Sequence, residues 1–596
     1  MNMCGICGEI RFDDSIISEK SKKLMMDAVA SRGPDNKGIY EDESFFFGHS
    51  RLSIIDTSPK SNQPMIDVKL SLSITFNGVI YNYRSLKKDL ESKGYIFDTD
   101  GDTEVILKAY HFYGEDCVKF FDGTFAFCIY DKSNRKFFLS RDRFGIKPLY
   151  YRSEKDCFSF SSTTKSLIRG STEKINTDAL NHHFLLHSSV PAPKTIFSSI
   201  QKLPPGNSLT ITESGTIKQR QYYSIGDISI EAHLNENEIL QNIERIILNA
   251  IKKRLCVSDV PVGVLLSGGL DSSLITAMAS KHKLAEVETF SIGFDTISTE
   301  IGDEFYYSDL VSKQFSSKHE KIIINEIDLL ESLDSVIANM PEPMSGQDAA
   351  AFYLLAKEVS KKRKVVLSGQ GADELFGGYP WYALMSNGDS DDIDRFSRYY
   401  LDRSIEDFKQ TVNKSFFTEH ATNNFISSSF EKYNKNLSFL DKLLRFDISY
   451  LIVDDPVKRV DSMTMAWGLE TRVPFLDQEL IEYLSSIPSE SKLKNHGKYY
   501  LKKIAERYLS SDVIYRKKFH FPVPPLKIIK DKILSYSRLV LQSEACNKRG
   551  IFNQKNIENL LNKPNENFTR LEGNKLWHLT VFERWFQLNV DKKNPL

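Results

Sequence analysis

The chain has 596 residues, 41% of them hydrophobic and 26% charged, a composition typical of a globular protein with roughly two to four domains. Its 78 Lys and Arg residues nearly balance its 79 Asp and Glu residues, which argues against nucleic-acid binding through bulk charge. Seven scattered cysteines argue against a disulfide-based fold and favour a reducing, cytoplasmic location. No apolar run reaches the length of a membrane span, and the first residues lack a secretory pattern, so no membrane association is expected.

The first part of the chain is predicted to form an α+β domain rich in strands. Runs of β-forming residues predict strands at 45–48, 72–76 and 125–130, and residues 103–113 have a helical pattern. Proline-rich segments at 190–193 and 203–207 precede a charged stretch at 227–237. We therefore place a domain boundary near residue 225, giving domains 1–225 and 226–596.

The second part alternates helices with short apolar strands. Helical patterns cover 239–255 and 272–281, and buried strands are predicted at 262–266, 289–294 and 364–367. Such alternation is typical of a doubly wound α/β fold with a parallel sheet. Beyond residue 390 the pattern is almost wholly helical.

The loop after strand 262–266 carries features of a phosphate-binding turn. Two adjacent glycines can expose backbone N–H groups, and the following helix start favours an anion. Asp271 is suited to hold Mg²⁺ against that anion. The loop lacks the Gly-Lys-Ser/Thr ending of a Walker A motif, and it resembles the PP-loop of ATP pyrophosphatases, which split ATP between its α and β phosphates.

A second glycine-rich loop, residues 368–379, follows strand 364–367. The carboxyl ends of parallel strands meet at one edge of a sheet, so both loops are expected to face one site. Asp373 is then the natural second carboxylate for Mg²⁺. Either loop taken alone could be a plain strand-to-helix turn.

Cys4 is the candidate nucleophile of the first domain. No Cys–His–Asp pattern lies nearby, and an N-terminal cysteine can use its own α-amine as the base. This requires translation to start at Met3 or residues 1–3 to be removed. The alternative is a zinc or redox pair of Cys4 with Cys7, but no further zinc ligands are apparent. The other six cysteines are expected to be small buried hydrophobes.

Together these motifs resemble the glutamine-hydrolysing asparagine synthetase family over nearly the whole chain. The motifs of the first domain lie at residues 4–6, 32–35, 49–56, 76–78, 101–104 and 141–150, and those of the second at 461–466, 469–477, 497–502 and 516–518. The resemblance implies an N-terminal-nucleophile (class II) glutaminase domain of stacked antiparallel sheets flanked by helices. An ATP-pyrophosphatase synthetase domain with a helical C-terminal part would follow.

The resemblance also implies roles for individual residues. In the glutaminase, Cys4 attacks glutamine, Asn77 and Gly78 form the oxyanion hole, and Arg51, Ile54 and Asp102 bind glutamine. In the synthetase, Lys498 faces the phosphates, and Asp271 and Asp373 hold Mg²⁺. The residues implied to contact ATP are Leu266, Ser267, Gly268, Gly269, Asp271, Ser272, Ser273, Ile292, Ser368 and Gly369.

The implied substrates are ATP, glutamine and a small carboxylate acceptor, without nucleic acid or membrane, in a protein that is compatible with a homodimer. Val79 stands where the family has Glu after Asn-Gly, Thr163 stands where it has Glu after Ser, and Gln370 stands where many relatives have Glu. The segment that shapes the acceptor pocket also differs, with Pro341 and Gly346-Gln347 in place of an Asp-rich pattern. A changed pocket suggests a changed acceptor.

Four further segments resemble the sequences of N-acetylglutaminylglutamine amidotransferases, which amidate the terminal carboxylate of an acylated dipeptide. These segments are residues 4–13, 302–305, 454–461 and 467–470. Free aspartate is the alternative acceptor. Two further alternatives are an ammonia-only ligase with an impaired glutaminase and a non-catalytic nucleotide-binding protein.

Overall fold

The computed structural model describes residues 4–13, 15–231, 235–297, 300–386, 391–517 and 523–596. The expected start at Met3 and Lys518 of the motif at 516–518 lie outside the described residues. Among the described residues, no helix is both long enough and apolar enough to cross a bilayer.

The first domain contains two six-stranded antiparallel sheets. Its strands are β1 (Gly5–Arg11), β2 (Asn36–Asp42), β3 (Phe45–Arg51), β4 (Met65–Asp67), β5 (Leu72–Ile80), β6 (Gly123–Asp131), β7 (Lys136–Arg141), β8 (Tyr150–Ser153), β9 (Cys157–Ser161), β10 (Gln201–Lys202), β11 (Asn207–Thr212) and β12 (Ile217–Gln221). The sheet orders are β10-β8-β9-β1-β3-β2 and β12-β11-β7-β6-β5-β4. Helices α1 (Glu19–Val29), α2 (Tyr83–Ser92), α3 (Asp102–Tyr113) and α4 (Thr177–Leu185) complete the domain.

The two sheets stack through alternate apolar residues. Ile6 and Phe47 of one sheet and Phe137 and Leu139 of the other belong to one buried cluster, as expected when every second side chain of a strand points to the same face. The outer face of the second sheet packs in another cluster with α2 and α3, and α1 lies against β1 and β3. The predicted stacked antiparallel sheets with flanking helices are confirmed.

The second domain is built on a five-stranded parallel sheet of order β15-β14-β13-β16-β17. Its strands are β13 (Val262–Leu265), β14 (Glu288–Phe294), β15 (Lys318–Ile324), β16 (Val365–Leu367) and β17 (Glu470–Arg472). The helices around it are α5 (Glu236–Cys256), α6 (Leu270–Lys281), α7 (Phe305–Phe315), α8 (Glu326–Asn339), α9 (Asp348–Val359) and α10 (Ala372–Phe376).

The remaining chain is helical apart from β17, as predicted. Its helices are α11 (Pro380–Ser386), α12 (Asp392–Tyr399), α13 (Ile405–Thr411), α14 (Ala421–Glu431), α15 (Phe439–Phe446), α16 (Lys458–Met465), α17 (Gln478–Ser485), α18 (Ser489–Lys492), α19 (Tyr499–Ala505), α20 (Ser511–Ile514), α21 (Pro524–Lys527), α22 (Asp531–Leu541), α23 (Glu544–Arg549), α24 (Gln554–Asn562) and α25 (Lys575–Asn589). Two π-helical turns, Asp447–Leu451 and Val453–Val457, lead into α16.

Two parallel strands were not predicted from sequence. The edge strand β15 mixes charged and apolar residues, and β17 places Glu470 and Arg472 in the sheet, where they are buried and paired with each other. Neither strand presents the apolar run that signals a buried parallel strand.

The parts before and after the predicted boundary share a buried interface. Phe184 of α4 packs against Phe408, Phe552 and Phe582 of the C-terminal helices. β12, the last strand of the two antiparallel sheets, ends at Gln221, and α5 begins at Glu236. The boundary at residue 225 stays a prediction.

The cysteines are all free, and one expectation about them was wrong. Cys256 is exposed, because it is the last residue of α5, whereas the other six are buried.

Candidate active site

The first candidate centre surrounds Cys4, which lies just before β1 and is fully buried. Its backbone N–H donates to Asn77 Oδ1 at 3.0 Å. Burial raises the pKa of the Cys4 thiol well above its usual range. A thiolate therefore requires a base at this position.

The predicted oxyanion hole lies on β5. Asn77 is fully buried, and among the described residues its Nδ2 has no hydrogen-bond partner, so a donor is held beside Cys4. Gly78 has a φ of +154°, and a Cβ there would lie 2.2 Å from the Thr124 carbonyl oxygen, so only glycine fits. Val79 is buried in the apolar cluster under the second sheet, so the departure from Glu is filled by ordinary core packing.

Arg51 is buried at the end of β3. Its guanidinium donates to the carbonyl oxygens of Ser58 at 2.8 Å and Asp56 at 2.5 Å and to Asn62 Oδ1 at 2.6 Å. Arg51 thus fixes the loop at 56–62. Among the described residues its Nε has no hydrogen-bond partner, which leaves one donor for a ligand carboxylate.

Asp102 and Ile54 complete the predicted glutamine pocket. Asp102 begins α3, is buried, and accepts a hydrogen bond from the Ile80 N–H at 3.1 Å. Burial raises its pKa to about 6. Ile54 is buried, and its carbonyl accepts from the Asp259 N–H at 2.9 Å, which joins this pocket to the second domain.

The second candidate centre is a cavity of about 810 Å³ at the carboxyl ends of β13 and β16. The predicted residues that line it are Leu266, Ser267, Gly269, Asp271, Ser272, Ile292, Ser368, Gly369, Asp373 and Lys498. Gly268 forms the turn with a φ of +74°, close to the Ser308 backbone. Ser273 is fully buried inside α6, away from the cavity lining.

The two glycine-rich loops lie in direct contact. A Cβ on Gly369 would come within 2.9 Å of the Asp271 Cβ, and one on Gly378 would come within 2.2 Å of Asp373 Oδ1. Glycine at both positions therefore lets the two aspartates approach each other. Gln370 lines the same cavity.

Lys498 joins the two aspartates. Its Nζ lies 2.7 Å from Asp271 Oδ2 and 2.9 Å from Asp373 Oδ1. Although burial opposes its charge, the two carboxylates raise the pKa of Lys498 above its usual range. Lys498 directly precedes α19 and is buried, so it is not a solvated surface lysine.

Asp271 and Asp373 suit Mg²⁺ by their chemistry. Mg²⁺ prefers oxygen ligands and is usually bound by one or two carboxylates together with substrate phosphates. Within the described ranges, no group of three or more His, Cys, Asp or Glu side chains forms an all-protein metal cage. The pair fits a metal that arrives with ATP, and the metal's chemistry there would be to neutralise phosphate charge.

The cavity is also lined by charged side chains to which the sequence analysis assigned no function. Arg516 pairs with Glu304 at 2.5 Å. Arg459 of α16 lies 2.9 Å from Asp348 and also pairs with Asp455. The Arg516–Glu304 and Arg459–Asp348 pairs join segments more than 100 residues apart in the chain, so the sequence alone does not show them.

A buried arginine links the first centre to helix α16, which also carries Arg459 of the second cavity. Arg32 donates to the Cys4 carbonyl oxygen at 3.2 Å and to Asp461 Oδ2 of α16 at 2.9 Å. A small cavity of about 20 Å³ lies beside it, lined by residues of both domains, among them Arg32, Thr163, Pro341 and Ser462.

The structure thus has two candidate centres: a buried thiol beside an unpaired amide donor, and a cavity whose wall carries two aspartates joined by a lysine. The asparagine synthase family model matches residues 242–587, and the glutamine amidotransferase domain model matches residues 3–223. The chain is therefore a glutamine-dependent carbon–nitrogen ligase, which replaces the alternative of a non-catalytic nucleotide-binding protein.

The chain belongs to the asparagine synthase family. It is 31% identical to asparagine synthetase [glutamine-hydrolyzing] 1 of Bacillus subtilis over 99% of this chain and 98% of that protein. It is 29% identical to asparagine synthetase [glutamine-hydrolyzing] 3 of the same organism over 99% of this chain and 100% of that protein. ATP is the nucleotide substrate of this family.

We predict that glutamine use falls as the pH drops through about 6. Asp102 must be ionised to hold an ammonium group, and burial raises its pKa to about 6, whereas an ordinary aspartate stays ionised down to about pH 4. The measurement is kcat/KM of glutaminase activity against pH. The ratio of wild-type kcat/KM to the smaller kcat/KM of Asp102→Asn should fall as the pH drops through about 6, because protonation of the Cys4 α-amine acts equally in both proteins. Asp100→Asn, at a side chain that is 94% exposed, should keep the wild-type profile. A wild-type kcat/KM that stays level to about pH 5 would contradict the assignment.

We also predict that Lys498→Ala abolishes ATP–pyrophosphate exchange and spares glutaminase activity. The change removes a cation that lies within 3 Å of both Asp271 and Asp373, and losing a phosphate-facing cation costs about 10²-fold or more. Lys503→Ala, on the exposed side of α19, is the control and should keep both activities. Retained exchange in Lys498→Ala would show that the phosphates bind elsewhere.

Proposed function

We propose that this protein hydrolyses glutamine at Cys4 and uses the ammonia to amidate the terminal carboxylate of N-acetylglutaminylglutamine through an acyl-adenylate. The observation that carries the synthetase part is the meeting of Asp271 and Asp373 at Lys498, in a cavity at the ends of two parallel strands. The choice of acceptor is supported by the altered acceptor segment and by the resemblance of four sequence segments to N-acetylglutaminylglutamine amidotransferases.

In the glutaminase step, the Cys4 sulfur attacks the side-chain amide carbon of glutamine. The Asn77 Nδ2 donor and the Gly78 N–H stabilise the oxyanion that forms. The carbon–nitrogen bond breaks, ammonia leaves, and water hydrolyses the glutamyl thioester to glutamate. The α-amine of Cys4, once residues 1–3 are absent, takes the thiol proton and passes it to the leaving nitrogen.

In the synthetase step, ATP lies along the loop at 267–273, with Ser267, Ser272 and the start of α6 facing its phosphates. An oxygen of the acceptor carboxylate attacks the α-phosphorus, and pyrophosphate leaves. Lys498 stabilises the negative charge that develops on the phosphates. Ammonia then attacks the acyl carbon, and AMP leaves.

Ammonia must reach the second centre unprotonated, since ammonium is not a nucleophile. The small cavity beside Arg32 and Ser462 lies between the two domains and supports an internal route. Arg32 holds one end of this region by bonding both the Cys4 carbonyl and Asp461.

The acceptor segment argues for a substrate other than free aspartate. Gly346 lies against Arg459, and a Cβ there would come within 2.9 Å of both Arg459 Nη1 and Asp348 Oδ1. The aspartate expected near this position in synthetases that use aspartate would crowd this ion pair. The pair itself lines the cavity, so the departures at 346 and 347 change the wall that an acceptor meets.

ATP–pyrophosphate exchange with a panel of carboxylates tests the acceptor. We expect exchange with N-acetylglutaminylglutamine at a kcat/KM at least about tenfold above that with aspartate, because a better-matched acceptor gains at least about 1.4 kcal/mol in the transition state. Exchange with aspartate alone would instead support an asparagine synthetase.

Val79 and Thr163 motivate the alternative of an ammonia-only ligase with an impaired glutaminase, and the Cys4→Ala variant tests it. Glutaminase rates of wild type and Cys4→Ala separate the two proposals. We expect Cys4→Ala to lose glutamine-dependent amidation and to keep ammonia-dependent amidation. Equal glutaminase rates in the two proteins would favour the rival.

Three further assignments are proposed, for the metal ligands, the domain boundary and the location of the protein. We propose that Asp271 and Asp373 hold Mg²⁺, that the domains meet near residue 225, and that the protein works in the cytoplasm. A homodimer is the assembly we would test first.

A further inference from the structure

Arg516 lines the synthetase cavity but has no part in the mechanism proposed above. It follows helix α20, and its ion-pair partner Glu304 lines the same cavity. Arg516 Nη2 lies 2.5 Å from Glu304 Oε1, and the two side chains are only 8% and 12% exposed. A guanidinium is thus held at the cavity wall, and the question is which ligand it faces.

The position of Arg516 is fixed beside the loop that is expected to bind phosphate. A Cβ on Gly269, the residue before α6, would lie 3.7 Å from Arg516 Nη2. The guanidinium also lies over the Tyr307 ring, with 4.4 Å between Arg516 Cζ and the ring centroid. A Cβ on Gly268 would come within 2.7 Å of Tyr307 Cβ. Tyr307 therefore contacts both the loop and the arginine and places them side by side.

Arg516 has fewer carboxylate partners than the two cations of this cavity described above. Lys498 and Arg459 each face two carboxylates. Among the described residues, the ion pairs of Arg516 involve Glu304 alone. A multiply charged anion on the loop would therefore compete with a single carboxylate for Arg516.

The chemistry of the pair favours such an exchange. Burial raises the pKa of Glu304 although Arg516 opposes this rise, so the carboxylate is poorly solvated even within the pair. A guanidinium presents a planar fork of N–H donors that matches two phosphate oxygens. Pyrophosphate offers more negative charge and more acceptor oxygens than one carboxylate, and Arg516 already lies where it would leave the loop.

Resting on the proposed adenylate chemistry, we propose that Arg516 binds the pyrophosphate leaving group and exchanges Glu304 for it. When the acceptor carboxylate attacks the α-phosphorus, the bond from that phosphorus to the α–β bridging oxygen breaks, and its electron pair stays on pyrophosphate. Arg516 stabilises the charge that the leaving group gains. Glu304 is the counter-ion that holds Arg516 in place before ATP binds.

Binding of inorganic pyrophosphate gives the first test, because it needs no acceptor. Isothermal titration calorimetry of the full chain in magnesium buffer measures the Kd. We expect Arg516→Ala to weaken binding about tenfold, the order of a lost hydrogen bond to a charged group. We expect Glu304→Gln to tighten binding about threefold or more, because glutamine keeps the shape of the side chain and removes the competing charge.

The opposite direction of these two effects distinguishes a ligand-binding arginine from a structural ion pair. If the pair only held the wall together, breaking it from either side would weaken binding. The matched controls are Arg507→Ala and Glu244→Gln, in an ion pair whose arginine side chain is 48% exposed. They change the net charge equally and should leave the Kd unchanged. Glutaminase activity should be retained in all four variants and reports that each is folded.

ATP–pyrophosphate exchange gives the second test, with the carboxylate that supports exchange in the wild type. Arg516→Ala should raise the KM for pyrophosphate about tenfold and leave the KM for the acceptor unchanged. An equal rise in both KM values would show a general distortion of the cavity and would contradict the proposal.

The outcomes separate this proposal from the proposed function. Equal pyrophosphate affinity in the wild type and Arg516→Ala, or a Glu304→Gln variant that binds no more tightly, would overturn the role of Arg516 and leave the adenylate chemistry intact. A wild type that neither binds pyrophosphate nor catalyses exchange with any carboxylate would overturn the adenylate chemistry and the role of Arg516 with it.

Discussion

The contact of Lys498 with Asp271 and Asp373 is the constraint around which the synthetase centre is built. Two carboxylates on loops after different strands repel each other unless a cation lies between them. Lys498 supplies that cation from α19, and the pKa of the lysine rises as a consequence. Glycines at 369 and 378 allow the close approach, since side chains there would strike the aspartates. The cavity keeps its shape because these three elements are tied together at one point.

Helix α16 connects the synthetase cavity to the region around Cys4 through charged side chains. Arg459 points its charge to the cavity wall, and Asp461, two residues later, holds Arg32 beside the Cys4 carbonyl. Lys458 lies in the same helix near a buried group in which Lys202 bonds Glu342 at 2.8 Å and Asp454 at 2.6 Å. Breaking a buried pair on one side leaves an uncompensated charge. The relative placement of the two centres is therefore fixed by charges as well as by apolar packing.

Much of the fold could be predicted from local pattern. The strand that leads into Asn77 and the strand–loop–helix at Ser267 have hydrophobic runs bounded by turn residues, and these signals do not depend on distant contacts. β17 escaped prediction because its two charged residues are buried as a pair. The exposure of Cys256 could not be foreseen either, since burial of one cysteine depends on what packs against the end of α5.

The residues of the candidate site likewise fall into those that the sequence predicts and those that it does not. Glycine-rich loops and the Cys4 motif have sequence signatures, so their residues were named in advance. The ion pair of Arg459 with Asp348 has none, because the two residues become neighbours only when segments more than 100 residues apart fold together. Ser273 shows the converse: a hydroxyl in the right motif is buried within the first turn of α6.

The most direct test of the central claim is the fate of an isotope in the acceptor. Acceptor labelled with ¹⁸O in its terminal carboxylate is incubated with ATP and glutamine, and the AMP is analysed by mass spectrometry. An acyl-adenylate formed in the cavity transfers one carboxylate oxygen to AMP, so the account predicts AMP carrying one ¹⁸O. AMP without the label, or ADP and labelled phosphate in its place, would contradict it.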